Sequence, residues 1–126
     1  MIRGYRDLNV WKKAYALTLK IYEITANFPA EEKFGLVSQM RRASTSIIAN
    51  IAEGYGKNHT REYIQFISIS IGSCNELEVY LLLSKDLGYV IENDFHNIKQ
   101  EQNEVSKMLF RLRKSLESKL LEVTDD

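Results

Sequence analysis

The stretch LVSQMRRASTSIIANIAEGYG, residues 36–56, decides the fold. Its apolar side chains Leu36, Val37, Met40, Ala43, Ile47 and Ile51 recur every three or four positions, the period of one face of an α-helix. No strand-like alternation competes with that period. The Gly54-Tyr55-Gly56 cluster supplies a stop, because glycine weakens a helix interior and suits its C-terminal cap. Glu31 and Glu32 precede the pattern and suit the positive end of a helix dipole.

The same period appears on either side. Upstream, Val10, Ala14, Leu17, Ile21 and Ile24 form a stripe that begins after Asp7, a candidate N-cap, and stops before Phe28-Pro29. Downstream, Asn58 or Thr60 can cap a third pattern through Tyr63, Phe66, Ile67, Ser70, Cys74, Leu77 and Leu81, with Gly88 as its C′ residue. A fourth carries Phe95, Ile98, Val105, Met108, Leu109, Leu112 and Leu116. The expected helices cover residues 8–27, 33–54, 59–87 and 92–119, with a frayed tail over 120–126. Four helices joined by short connections predict an all-α fold, an antiparallel up-down-up-down four-helix bundle occupying residues 1–126 as one domain.

The second and third patterns are unusually rich in small residues: Ala43, Ser44, Thr45, Ser46, Ala49 and Ala52, then Ser68, Ser70, Gly72, Ser73 and Cys74. Small side chains let two helix axes approach to about 8 Å. Ile67, Ile69 and Ile71 lie two apart, so they point to nearly opposite sides of their helix. One side enters the monomer core. The other is either scattered surface apolarity or a face covered by a second copy of the chain.

Several function classes fail on composition or spacing. The single cysteine, Cys74, leaves no intramolecular disulfide and no cysteine-based zinc cage, and it sits on the apparent core stripe. The start of the chain has no signal-peptide core, and no uninterrupted apolar run approaches the ~20 residues of a membrane span. A cytoplasmic protein without a membrane partner is expected. A di-iron bundle needs Glu-x-x-His pairs, but Gly56 and Asn93 stand three residues before His59 and His96. Both histidines read as solvated. The carboxylates Glu101, Glu104, Glu122 and Asp125 match the acidic spacing of nucleotide pyrophosphohydrolases. One continuous helix would hold the two pairs roughly 25–30 Å apart, at about 1.5 Å per residue. No metal, cofactor or catalytic residue is expected, and the chain reads as a non-enzyme.

What remains is charge. The chain is neutral overall, with 17 basic and 17 acidic side chains. Residues 1–57 nevertheless carry nine Lys/Arg against five Asp/Glu, which leaves room for a basic patch. Arg42, Ser46, Asn50 and Glu53 line one side of the second helix. They form either a network that fixes the turn into the third helix or a polar recognition surface. Around them lie Arg41, Lys57, His59 and Arg61, interleaved with Tyr55 and Tyr63. Basic groups beside aromatics can hold phosphates and stack on exposed bases. A second basic stripe, Lys107, Arg111 and Lys114, runs along the fourth helix with Arg113 beside it, either as a solvated face or as a phosphate-contacting one.

Several segments together carry a family resemblance: DLNVW at Asp7–Trp11, FPAEEKFGL at Phe28–Leu36, QMRRASTSIIANIAEG at Gln39–Gly54 and FISISIGSCNELE at Phe66–Glu78. The chain resembles the "four helix bundle protein" family, encoded in intervening sequences of bacterial 23S rRNA genes and sometimes labelled ribosomal-protein-like. That resemblance implies the bundle fold and a ring-like homopentamer. It also implies kinship with the accessory factor of diversity-generating retroelements, which works beside a reverse transcriptase and binds nucleic acid through a basic surface. It supplies no catalytic residues. Asn50, Glu53 and Gly54 are expected to determine fold and assembly, together with Ile69 and Ile71 of the third helix.

The expectation is therefore a non-enzymatic homo-oligomer associated with RNA or DNA, with phosphate contacts from Arg41, Arg42, Lys57, Arg61, Lys107, Arg111 and Lys114. The alternative is a scaffold that docks a polymerase or ribosomal protein without touching nucleic acid. Charges of one sign clustered on the surface favour the first; an exposed apolar patch favours the second.

Overall fold

A computed structural model describes residues 1–125, with side chains described through Glu122. It contains four α-helices: α1 Asn9–Thr25, α2 Leu36–Tyr55, α3 Thr60–Asp86 and α4 Glu92–Asp125. Short 3-10 turns at Tyr5–Asp7 and Ala30–Glu32 precede α1 and α2, and the described residues include no strand. Each helix packs on its two neighbours in cyclic order, while the diagonal pairs α1/α3 and α2/α4 stay apart. This is the expected up-down-up-down bundle.

The predicted stripes form the core. Leu17, Ile21, Met40, Ile47, Ile51, Ile67, Leu77, Leu81, Val105 and Leu109 are fully buried. Each such Leu or Ile contributes on the order of 1.5–3 kcal/mol by leaving water. A layer of small polar groups crosses the middle of the bundle and fixes its register. Thr18 Oγ1 donates to the Ser44 carbonyl at 3.2 Å, and Ser70 Oγ donates to the Ile47 carbonyl at 2.9 Å. Ser46 and Ser73 share a 2.8 Å hydroxyl hydrogen bond between α2 and α3. Gln102 of α4, 1% exposed, donates Nε2 to the Cys74 carbonyl at 3.2 Å.

The helix ends differ from expectation at several points, each for a local reason. Asp7 does not cap α1: its carboxylate accepts the Arg3 N–H at 2.8 Å, and Leu8 occupies the cap position without a side-chain bond. α2 begins at Leu36 because residues 30–32 form a separate turn; Glu32 accepts the Leu36 N–H at 3.4 Å and the Tyr89 hydroxyl at 3.0 Å. His59, rather than Asn58 or Thr60, precedes α3, again without a side-chain cap. Gly88 behaves as expected. Its φ is +81°, and it and Tyr89 donate to the Lys85 and Ser84 carbonyls at 3.0 and 2.9 Å. α4 continues past residue 119 to Asp125 because no proline or glycine stops it; the expected tail ends at residue 126, outside the described residues.

α3 has no uninterrupted apolar run of about 20 residues, yet it is apolar overall. Its mean hydropathy reaches 1.3, so by length and composition alone this helix could cross a bilayer. Its inward residues Ile67, Ile71, Cys74, Leu77 and Leu81 line the bundle core, which accounts for part of that apolarity. Other apolar residues of α3 face outward. Ile69, Val79 and Leu83 are 50%, 59% and 45% exposed, with Leu82 beside them.

Candidate nucleic-acid interface

The antiparallel order sorts charge along the bundle axis. The N-terminal halves of α1 and α3 and the C-terminal halves of α2 and α4 meet at one end. Residues 1–16, 47–70 and 106–122, which build that end, carry eleven Lys/Arg and five Asp/Glu. Residues 17–46 and 71–105, at the other end, carry six and ten. Alternating helix dipoles largely cancel, so these side chains set the field. Asymmetry between the halves of the sequence becomes, in space, a basic end and an acidic end.

Five of the seven predicted phosphate contacts belong to the basic end. Lys57, Arg61, Lys107, Arg111 and Lys114 are all exposed. Among the described residues, Arg61, Lys107, Arg111 and Lys114 have no carboxylate partner within 4.0 Å. Lys57 pairs with Glu53 at a loose 3.8 Å and lies 5.3 Å from the Phe66 ring. Arg61 lines a shallow groove with Asn58, His59, Glu62 and Leu120, which brings the start of α3 against the end of α4. Lys107 and Arg111 line another with Gln100, Asn103 and Met108.

Arg41 and Arg42 lie elsewhere. Arg41 and Lys57 are sixteen positions apart along α2 and the following turn, about 24 Å along a helix axis. Arg41 is engaged within the fold. Its Nε donates to Thr25 Oγ1 at 3.0 Å, one terminal nitrogen donates to the Tyr22 carbonyl at 3.3 Å, and the guanidinium sits 4.6 Å from the Tyr22 ring centroid. It thereby caps the C-terminal end of α1. Arg42 is exposed and reaches Ser38 Oγ of its own helix at 3.5 Å.

The polar stripe on α2 divides in the same way. Asn50 donates to the Ser46 carbonyl at 2.8 Å and to Ser46 Oγ at 3.1 Å, which tightens the contact with Ser73 on α3. Glu53 is exposed and turned toward Lys57. Gly54 is buried where α2 meets α3, and Ile71 is in the core while Ile69 is exposed.

Sequence reasoning missed Arg3, Arg6, Lys12 and Lys119, which are exposed at the same end. Arg113 is half-buried beside them and donates to Ser68 Oγ at 3.3 Å. The available signal was the alternation of aromatic and basic residues in Tyr5-Arg6 and Trp11-Lys12. Cys74 is fully buried, and burial pushes its thiol above the ordinary value.

A family model described as 23S rRNA-intervening sequence protein matches residues 6–111. Among solved structures, the chain is similar to a protein of unknown function from the S23 ribosomal protein family of Bacteroides thetaiotaomicron VPI-5482. The TM-score is 0.76 at 26% identity, covering 83% of this chain and 98% of that one. No curated protein matches.

Proposed function

The chain belongs to the 23S rRNA-intervening sequence protein family, and we propose that it is a non-enzymatic, homo-oligomeric cytoplasmic protein that holds RNA or DNA by the phosphate backbone. The observation that carries this reading is the gathering, at one end of a neutral chain, of exposed cations without a carboxylate partner among the described residues. Phosphate recognition needs exposed Lys and Arg groups, and Arg61, Lys107, Arg111 and Lys114 are exposed at this end without a carboxylate partner among the described residues. Lys57 joins them through its weak pairing. Arg41 and Arg42 drop out of this contact set because of their position.

The homo-oligomer is supported by the outward side of α3. Val79 and Leu83 stand one turn apart and share their side of α3 with Ile69, with Gly72 leaving room for a second backbone and Glu76 interrupting the apolar surface. A closed ring with α3 faces buried would set several basic ends beside one another and multiply their weak individual fields. Five copies is the number the family resemblance implies.

A second reading has its own observation. Phe34 is 88% exposed at the opposite end, beside a groove lined by Tyr22, Val37, Arg41 and Arg42. A ring that large, left in water, suits a protein partner, and a scaffold role would use it.

Fluorescence anisotropy with a labelled RNA stem-loop and a single-stranded DNA, from about 50 to about 200 mM salt, tests the leading reading. Binding that weakens steeply with salt is expected. No binding at low salt would remove the nucleic-acid role and leave the scaffold.

A further inference from the structure

Three aromatic rings at the basic end touch in series on the outside of the bundle, the last two of them stacked. Tyr5 meets Trp11 edge-on, with 5.2 Å between centroids and 64° between planes. Trp11 lies nearly parallel to Tyr15, at 4.9 Å and 17°. Tyr15 is 44% exposed, while Tyr5 and Trp11 are half-buried. Trp11 also packs on the core, so its ring links the fold to the stack.

Cations and small residues surround the rings. The Arg6 guanidinium is 6.0 Å from the Tyr5 ring centroid, and Lys12 follows Trp11 directly. Tyr5 also forms one wall of a groove of about 330 Å³, completed by Ala49, Ala52, Glu53, Gly56 and Lys57. Ala49, Ala52 and Gly56 follow one another on one side of α2 and leave a floor without bulk. A flat apolar floor, an aromatic wall and a cation at the rim suit a nucleobase attached to a phosphate.

We propose that the Tyr5–Trp11–Tyr15 stack and the adjoining groove bind unpaired bases of single-stranded nucleic acid, with the flanking phosphates on Arg6, Lys12 and Lys57. This rests on the phosphate-binding reading of the basic end and names its substrate class. In a duplex the base faces are hidden by their neighbours, so aromatic stacking requires unpaired bases. Glu53 sets the orientation. Its carboxylate, 63% exposed, repels a phosphate but accepts a hydrogen bond from an exocyclic amine of a base. The base therefore enters the groove and the phosphate stays at the rim.

Trp11 is the chain's one tryptophan, so its fluorescence reports on this stack alone. The test compares three probes: a labelled single strand of about a dozen nucleotides, the same strand made abasic, and its duplex. The intact strand is expected to quench Trp11 and to bind about tenfold more tightly than the abasic one, as one or two stacked bases require. Tyr15→Ala, an exposed position that leaves far-UV circular dichroism unchanged, should remove most of that difference without altering abasic binding or its salt dependence.

Equal affinity for intact and abasic strands, with Trp11 fluorescence unmoved, would overturn base stacking while leaving phosphate binding intact. Failure of all three probes to bind would overturn both. A Trp11 shift that follows protein concentration without any oligonucleotide would assign this face to a second copy of the chain and overturn the proposal.

Discussion

Gly54 faces Phe66 so closely that a β-carbon built on the glycine stands 2.9 Å from Phe66 Cβ and equally 2.9 Å from Tyr63 Cδ1. Neither atom is the free end of a flexible chain, so the two helices would have to separate. The glycine is thus a contact point between α2 and α3, where the chain turns from one helix to the next. Overpacking of this kind costs about 1–3 kcal/mol, and replacing a helical glycine returns up to about 1 kcal/mol. Gly54→Ala is expected to lower stability by about 1 kcal/mol net, read as a reduced urea midpoint with an unchanged slope.

Gln102 tests the polar layer from another direction. Its Oε1 is buried among the described residues without a hydrogen-bond partner, although Nε2 is satisfied by Cys74. An unmet buried acceptor costs about 1–3 kcal/mol. Gln102→Met keeps the volume and removes that acceptor, so it is expected to raise the thermal midpoint by a few degrees. A lower midpoint would show that the amide is better satisfied than its neighbours indicate.

Arg41 separates structure from binding. Arg41→Met removes two hydrogen bonds and a ring contact at the end of α1. A loss of about 1–2 kcal/mol in urea unfolding is expected, because hydrogen bonds of a charged group are among the stronger ones. RNA affinity of the folded variant should stay within about twofold of the parent. In Arg61→Glu the effects should reverse: stability nearly unchanged, affinity reduced.

The alkaline limb of stability follows from three acids that prefer their neutral form in the fold. Burial pushes Cys74 and Tyr63 up, and the Glu32 carboxylate accepting from its hydroxyl pushes Tyr89 up. Each keeps its proton in the folded chain to a higher pH than in the unfolded one. Their stabilising contribution is therefore complete below the ordinary values, 9.0 for the thiol and 10.0 for the phenols, and is lost as pH rises through the folded values. Urea midpoints at stepped pH should hold up to about pH 9 and fall above it. The Cys74 thiol should likewise resist alkylation at neutral pH until the protein unfolds.

Much of this was legible in the sequence, and what was not has a common cause. The stripes through Ile47, Leu77 and Leu109 report helix faces directly, and Gly88 reports its own left-handed conformation. Capping was harder to see. Asp7 looks like an N-cap from its neighbours along the chain, but Arg3 claims its carboxylate; Glu32 supplies the bond to α2 from outside the expected helix. Arg41 and Arg61 look alike as exposed cations near one polar stripe. Only the path of α2 shows that one is tied to Thr25 and Tyr22 while the other is exposed at the far end. The aromatic stack was hidden because Tyr5 and Trp11 meet through a turn rather than a shared helical period.

The most direct measurement of the central claim is a charge reversal at each end of the bundle, read by anisotropy with the same labelled RNA. Lys57→Glu/Arg61→Glu/Arg111→Glu removes cations of the basic end, and Lys33→Glu/Arg42→Glu removes exposed cations of the other. The account predicts that the first variant loses at least about tenfold in affinity, with a salt slope shallower by ~2–3, while the second binds like the parent. Equal losses in both variants, or a loss confined to the second, would contradict it.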